Sequence, residues 1–265
     1  MREFGEILDG VQRRIARAAE RAGRDPAAVE IVAVTKTHGP DCVAEAAAAG
    51  LRIVGENKVQ EAAWKKPSSV SGLDWHLIGH LQGNKVRPAL ELFDFIHSVD
   101  SVKLIDRLEA VAEEIGASPR ILLEVNVAEE KSKTGLAPAA FEDAVREITA
   151  NCRRVTLEGL MTMAPYAPDP EAARPYFRKL RELRDATEQR FGLALPRLSM
   201  GMSGDFEVAV EEGATWVRLG TVLFGDRPKK GARSEYGGVG DSDTYAGFGG
   251  LDSYSGAGPT VRVLD

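Results

Sequence analysis

IVAVTK, residues 31–36, is the stretch on which the reading of the fold turns. Ile31, Val32, Val34 and Thr35 are β-branched, and no polar residue alternates with the apolar ones. Such an uninterrupted run suits a strand covered on both faces, as parallel strands under helices are. Asp25-Pro26 turns the chain into it. Upstream, Phe4, Leu8, Val11, Ile15, Ala18 and Ala22 recur at helical spacing, and Gly23 is placed to end that helix. Downstream, further apolar runs predict strands at Leu51–Gly55, Trp75–Gly79, Phe95–Val99, Ile121–Val127, Leu157–Met163, Leu198–Met202 and Trp216–Phe224. Helix-like stretches separate them: Pro40–Ala49, Lys58–Lys66, Asn84–Phe93, Val102–Ile115, Ala139–Asn151, Pro170–Phe191 and Asp205–Glu212.

Eight short strands alternating with seven helices, after one leading helix, predict an α/β protein. The expected architecture is a single TIM-type (β/α)8 barrel, which typically takes about 250 residues. An open doubly wound sheet is the competing arrangement, but no GxGxxG follows the first strand. Pro88 sits inside a helix-like run; with Asn84 as cap it would fall near the first turn and remove one hydrogen bond.

The chain has 265 residues, 43% of them hydrophobic and 28% charged, with a formal charge of −6. That acidity argues against nucleic acid or an anionic membrane surface as partner. Cys42 and Cys152 form no CxxC or Cys/His pattern and read as free thiols. No apolar run has the length of a membrane span, and MREFGEILDG has no signal-peptide core, so a cytoplasmic protein is expected. Composition shifts after Pro228: residues 231–265 hold nine glycines in 35 positions. The expected division is a barrel over residues 1–230 and a glycine-rich disordered tail over 231–265.

In such a barrel the chemistry gathers where the C-terminal strand ends meet their loops. The first strand delivers Lys36 there. Burial of its stem would favour the neutral amine that condenses with carbonyls; a lysine snorkelling from a strand end is the alternative. The loops after the last two strands carry Met200-Gly201-Met202-Ser203-Gly204 and Gly220-Thr221. Glycines and hydroxyls at those two loops match the usual phosphate site of the fold. A lysine opposite a phosphate cradle suggests a phosphorylated carbonyl compound.

Arg218 shares a strand face with Gly220. A guanidinium only donates, so facing a pyridine nitrogen it would keep that nitrogen unprotonated and the ring a weak electron sink. An ion pair with Glu211 or Glu212 competes with that role. Asn57 could touch the ring oxygen or cap the following helix. His80 could face the pocket or be a structural histidine. The four histidines lie at no metal-ligand spacing, and no metal is expected.

Seven blocks in order carry a resemblance: VAVTKTHG (32–39), IVGENKVQE (53–61), WHLIGHLQGNKV (75–86), IHSVDS (96–101), VNVAEEKSKTG (125–135), GLMTMAP (159–165) and LSMGMSGDFEVAVEEGATWVRLGTVLFG (198–225). Over roughly residues 3 to 228 the chain resembles the pyridoxal phosphate homeostasis proteins, themselves similar to the N-terminal barrel of alanine racemase. The resemblance implies pyridoxal 5′-phosphate as cofactor, bound as a Schiff base on Lys36, with Arg218 at the pyridine nitrogen. It implies Ser203, Gly220 and Thr221 at the phosphate, with Asn57 and His80 nearby. Gly204 stands where the family often has an acidic residue, Pro88 is unusual, and the tail has no counterpart.

Two functions from different classes follow. One is a carrier that stores, buffers or delivers the cofactor inside the cell, with apo forms of pyridoxal-dependent enzymes as partners and no catalytic residue of its own. The other is a pyridoxal-dependent amino-acid racemase. A racemase needs acid/base groups on both faces of the ring. The usual tyrosine from a second, β-rich domain has no counterpart here, and only Tyr166 and Tyr176 lie in the barrel region. The carrier is the expected reading. A cofactor-free Schiff-base aldolase ranks last, because it leaves Arg218 without a role.

Overall fold

The computed structural model describes residues 3–130 and 134–226. The expected tail at 231–265 lies outside the described residues. The elements in chain order are α1 (Phe4–Arg21), β1 (Glu30–Val34), α2 (Asp41–Ala48), β2 (Ile53–Glu56), α3 (Val59–Lys65), β3 (Asp74–Leu77), α4 (Val86–Leu92) and β4 (Phe95–Val99). They continue with α5 (Val102–Ile115), β5 (Arg120–Glu124), α6 (Pro138–Asn151), β6 (Thr156–Met161), α7 (Arg174–Phe191), β7 (Arg197–Ser199), α8 (Phe206–Glu211), β8 (Trp216–Leu219) and α9 (Thr221–Phe224). The eight strands pair in parallel in sequence order and close into a barrel. The closure runs from Glu30 opposite Trp216 to Ala33 opposite Leu219.

The strands alternate, although both faces are apolar. Val32, Ile53, Phe95, Leu122, Met161 and Trp216 form one buried cluster, with Ile78 and Met163 packed against it. This cluster fills the barrel. Their neighbours Ala33, Val54, Ile96, Leu123, Leu160 and Val217 join a second cluster with the helices. Each strand thus buries one side chain inward and the next outward, as the two-residue period requires. Along β1 and β8 that parity turns Lys36 and Arg218 inward with Val32 and Trp216.

Local signals explain the helix ends. Ser101 caps α5 by accepting from Leu104 N at 3.3 Å, and Gly116 ends it at φ 71°. Pro88 falls in the first turn of α4, where a missing N–H costs no intrahelical bond. The turn before it, Gly83–Lys85, is a 3-10 helix rather than the expected start of α4.

Strands five and seven end earlier than expected, at Glu124 rather than Val127 and at Ser199 rather than Met202, and the largest departure is strand eight, which ends at Leu219 rather than Phe224. TVLF has strand-like composition, but Gly220 (φ −117°, ψ −80°) redirects the chain into a helical turn. Its carbonyl accepts from Leu223 and Phe224 N–H, both at 2.9 Å. A Cβ at this position would lie 3.3 Å from the Val34 carbonyl oxygen, so β8 and β1 close together here on a glycine. Among the described residues no helix is long and apolar enough to cross a membrane.

Candidate functional site

Lys36 stands two residues beyond β1 and is half-buried. Its Nζ donates to Asn57 Oδ1 at 3.5 Å. Asn57 follows β2 directly and gives no side-chain cap to α3. Gly79 makes that placement possible: a Cβ there would lie 2.4 Å from the Asn57 carbonyl oxygen.

Ser203 lies in the β7–α8 loop, and its Oγ accepts from Val222 N at 3.2 Å. That bond joins the two loops expected to hold a phosphate. Thr221 opens α9 and is exposed. Gly220 sits beside Val34, so the strand ends carrying Lys36 and Gly220-Thr221 are neighbours. His80 is different. It lies exposed on the rim, bonded through Nδ1 to Asp100 Oδ2 at 3.0 Å.

Arg218 is 4% exposed. Nη1 donates to the Ser199 carbonyl and to Ser199 Oγ, both at 2.7 Å, and Nη2 donates to the Thr162 carbonyl at 2.9 Å. Every one of these acceptors is uncharged. Glu211 and Glu212, the competing partners, belong elsewhere: Glu211 pairs with Arg21 and Arg174, and Glu212 with Arg174, Arg178 and Arg181. Burial lowers the Arg218 pKa to about 10, against the pull of Glu124 and Asp205. It remains a cation near neutrality.

The support beneath Arg218 was not evident in the sequence. Ser199 Oγ lies 2.9 Å from His97 Nδ1, and His97 Nε2 lies 3.0 Å from His76 Nδ1. The direction of this chain follows from counting donors. With Ser199 donating to His97 and His97 donating to His76, only the His76 Nε2–H is left without a partner. The reverse direction would strand the Ser199 hydrogen as well. Both imidazoles are neutral: burial drives His76 down to about 3, and burial together with His76 and Arg218 takes His97 well below its ordinary value. His97 also stacks on Trp216, with ring centroids 5.0 Å apart. Inward parity on β3, β4 and β7 was the signal that could have found this set.

Glu124 is a second unforeseen residue, 3% exposed at the inward end of β5. Thr134 Oγ1 donates to it at 2.7 Å. Burial pushes its pKa up, and the Thr134 bond and Arg218 oppose the rise. No group of three or more metal-ligating side chains occurs among the described residues.

A half-buried amine, a buried arginine and two joined loops carrying glycine with serine or threonine thus meet at one end of the barrel. The family described as alanine racemase, N-terminal domain, matches residues 8–228. The chain is 46% identical over 224 residues to the pyridoxal phosphate homeostasis protein of Aquifex aeolicus, covering 84% of this chain and 97% of that one. It is 44% identical over 232 residues to the protein of the same name from Pseudomonas aeruginosa, covering 86% and 97%. Among solved structures, PipY of Synechococcus elongatus, determined with PLP bound, superposes with a TM-score of 0.71 at 40% identity, covering 80% of this chain and 100% of that one.

Proposed function

Because the chain belongs to the alanine racemase N-terminal domain family and aligns with pyridoxal phosphate homeostasis proteins over most of its length, we propose that it binds pyridoxal 5′-phosphate through Lys36 as a Schiff base and serves the cofactor's intracellular homeostasis by storage, buffering or delivery. The observation that carries this reading is Arg218, a buried cation whose three hydrogen bonds all end on neutral oxygens. Glu124 and Asp205 pull on it through space, and a guanidinium buried this deeply needs acceptors for its donors. The unprotonated nitrogen of a pyridine ring in the barrel mouth would supply one more. Pyridoxal phosphate supplies an aldehyde for an amine, a pyridine ring and a phosphate.

Each residue of the set has a task in this reading. Lys36 provides the amine, and Asn57 Oδ1 orients it. Ser203, Gly220 and Thr221 hold the phosphate from the two loops that the Ser203–Val222 bond joins. Arg218 faces the ring nitrogen, where a group that cannot give up its proton keeps the nitrogen unprotonated. His80, fixed by Asp100, borders the ring edge from the rim.

The carrier reading is favoured over the racemase by the tyrosines. Tyr166 is 95% exposed. Tyr176, on α7, packs against the outer core. With one tyrosine in solvent and the other on the outer helix layer, neither is set to act as the second acid/base group. The recipients of delivery would be apo forms of pyridoxal-dependent enzymes.

The test is optical. Purified protein mixed with pyridoxal phosphate should develop the absorption of a cofactor bound to an amine, and Lys36→Ala should lack it. A protein that stays colourless overturns the reading. Amino-acid racemisation above background would replace the carrier by the alternative.

A further inference from the structure

Lys65, the last residue of α3, is wholly buried in the layer between the barrel wall and the helices. Its ammonium donates to the Thr35 carbonyl at 2.7 Å and to Glu56 Oε1 at 2.6 Å, and lies 3.6 Å from Glu61 Oε2. Thr35 Oγ1 donates to the same Glu56 oxygen at 2.5 Å. Glu61 Oε2 in turn accepts from the backbone N–H of Thr37 at 3.0 Å. These contacts fall on the residues before and after Lys36, and on the residue before Asn57. Strand parity sets Thr35 and Glu56 outward where Lys36 and Asn57 turn inward. Lys65 therefore grips the outer wall of the barrel behind the amine site.

Two features say that this grip has a purpose beyond stability. A buried Lys–Glu pair is often no more stabilising than apolar residues of similar volume. Here Glu56 Oε2 has no hydrogen-bond partner, which makes the arrangement costlier still. Second, Thr37 adopts φ 70°, a left-handed conformation that is an outlier for a β-branched residue. Among the described non-glycine residues only Thr37 and Glu129 have positive φ. A strained residue persists where its surroundings over-determine it. The Thr37 N–H is bonded to the Glu61 oxygen that faces the Lys65 ammonium.

We propose that Lys65, acting with Glu56 and through Glu61, is a positioning residue that fixes the backbone on both sides of Lys36 and so aims its amine into the barrel mouth. The proposal rests on Lys36 being the residue that captures the cofactor, but its structural half is testable without the cofactor. Removing Lys65 alone would leave Glu56 buried and unpaired, so the first variant is Lys65→Met combined with Glu56→Gln. A second, Glu61→Ala, keeps the buried pair and removes only the acceptor for Thr37. Three quantities are compared with the wild type: the thermal midpoint, the hydrogen-exchange protection of the Thr37 amide, and the rate at which added pyridoxal phosphate is captured, followed by absorbance.

In both variants the folded protein should lose protection at Thr37 and capture the cofactor on the order of 10-fold more slowly, since small misplacements of a reacting group have effects of that size. Adding Thr37→Gly to Glu61→Ala, which relieves the left-handed strain, should restore part of the rate. Folded variants with wild-type capture rates, or with unchanged Thr37 protection, would overturn the assignment. A wild type that captures no cofactor while the variants still lose Thr37 protection would overturn the reading of the site and leave the clamp standing.

Discussion

A histidine far from the surface should contribute a loss of stability on acidification. Burial, reinforced by Arg120 and Arg197, lowers the His76 pKa from 6.5 to about 3. In the unfolded chain the same ring takes up a proton near its ordinary value. Between those two values the unfolded state binds more protons, so stability is intact above the unfolded pKa and falls as pH falls. One pKa unit corresponds to about 1.4 kcal/mol, and pH 5 lies about 1.5 units below the unfolded pKa, so His76 alone costs about 2 kcal/mol between pH 7 and pH 5. His97 acts in the same direction. Glu56, Asp74, Glu124 and Asp205, all with raised pKa values, act in the opposite direction, so total stability is the wrong observable.

The right one is a difference. Replacing His76 by Asn keeps an acceptor near the Nδ1 position but removes the titrating ring. Urea unfolding followed by far-UV circular dichroism, at pH 7 and pH 5, should show the wild type losing about 2 kcal/mol more than His76→Asn. Equal losses in the two proteins would mean that the ring is not held neutral inside the barrel, and the hydrogen-bond chain under Arg218 would fall with it.

Other substitutions probe the mouth. Ser199→Ala leaves Arg218 one acceptor short and His97 Nδ1 unpaired, which should cost about 1–3 kcal/mol in unfolding free energy and shift the absorption band of bound cofactor. An unshifted band would separate Ser199 from the ring. Arg218→Gln removes the buried charge but keeps an amide donor; equilibrium dialysis should show weaker pyridoxal phosphate binding, and unchanged affinity would refute the placement of Arg218 at the bound cofactor. Gly79→Ala places a methyl 2.4 Å from the Asn57 carbonyl oxygen and should both destabilise the fold, by about 1–3 kcal/mol, and slow cofactor capture. Normal capture would show that Asn57 does not orient the amine.

The barrel was legible because period and composition agree along the whole chain. Eight apolar runs, each followed by a helix-like stretch, admit few arrangements other than closure. Strand eight misled at its end, since Thr221, Val222, Leu223 and Phe224 favour a strand by composition and only the backbone of Gly220 decides otherwise. Lys36, Arg218, Ser203 and Gly220 stood out as candidates because strand ends and glycine loops are marked in the sequence. The residues that support them were not. Lys65 follows a helical pattern like any solvated lysine, and nothing local shows that its ammonium is buried 2.6 Å from Glu56. His76 and His97 lie 21 positions apart, and Ser199 lies a further 102 along the chain. Only the closed barrel brings them into one line. The choice of partners for Arg218 is equally a product of the fold, since Glu211 and Glu212 are nearer in sequence than Ser199 and Thr162, the residues it bonds.

Which side chain takes up the cofactor decides whether Lys36 is the capturing amine. The protein is incubated with pyridoxal phosphate, reduced with borohydride, digested, and its peptides weighed. One pyridoxyl phosphate group fixed on the peptide containing Lys36, and absent from that peptide in Lys36→Ala, is the expected result. A label carried by another lysine while Lys36 remains unmodified would contradict it.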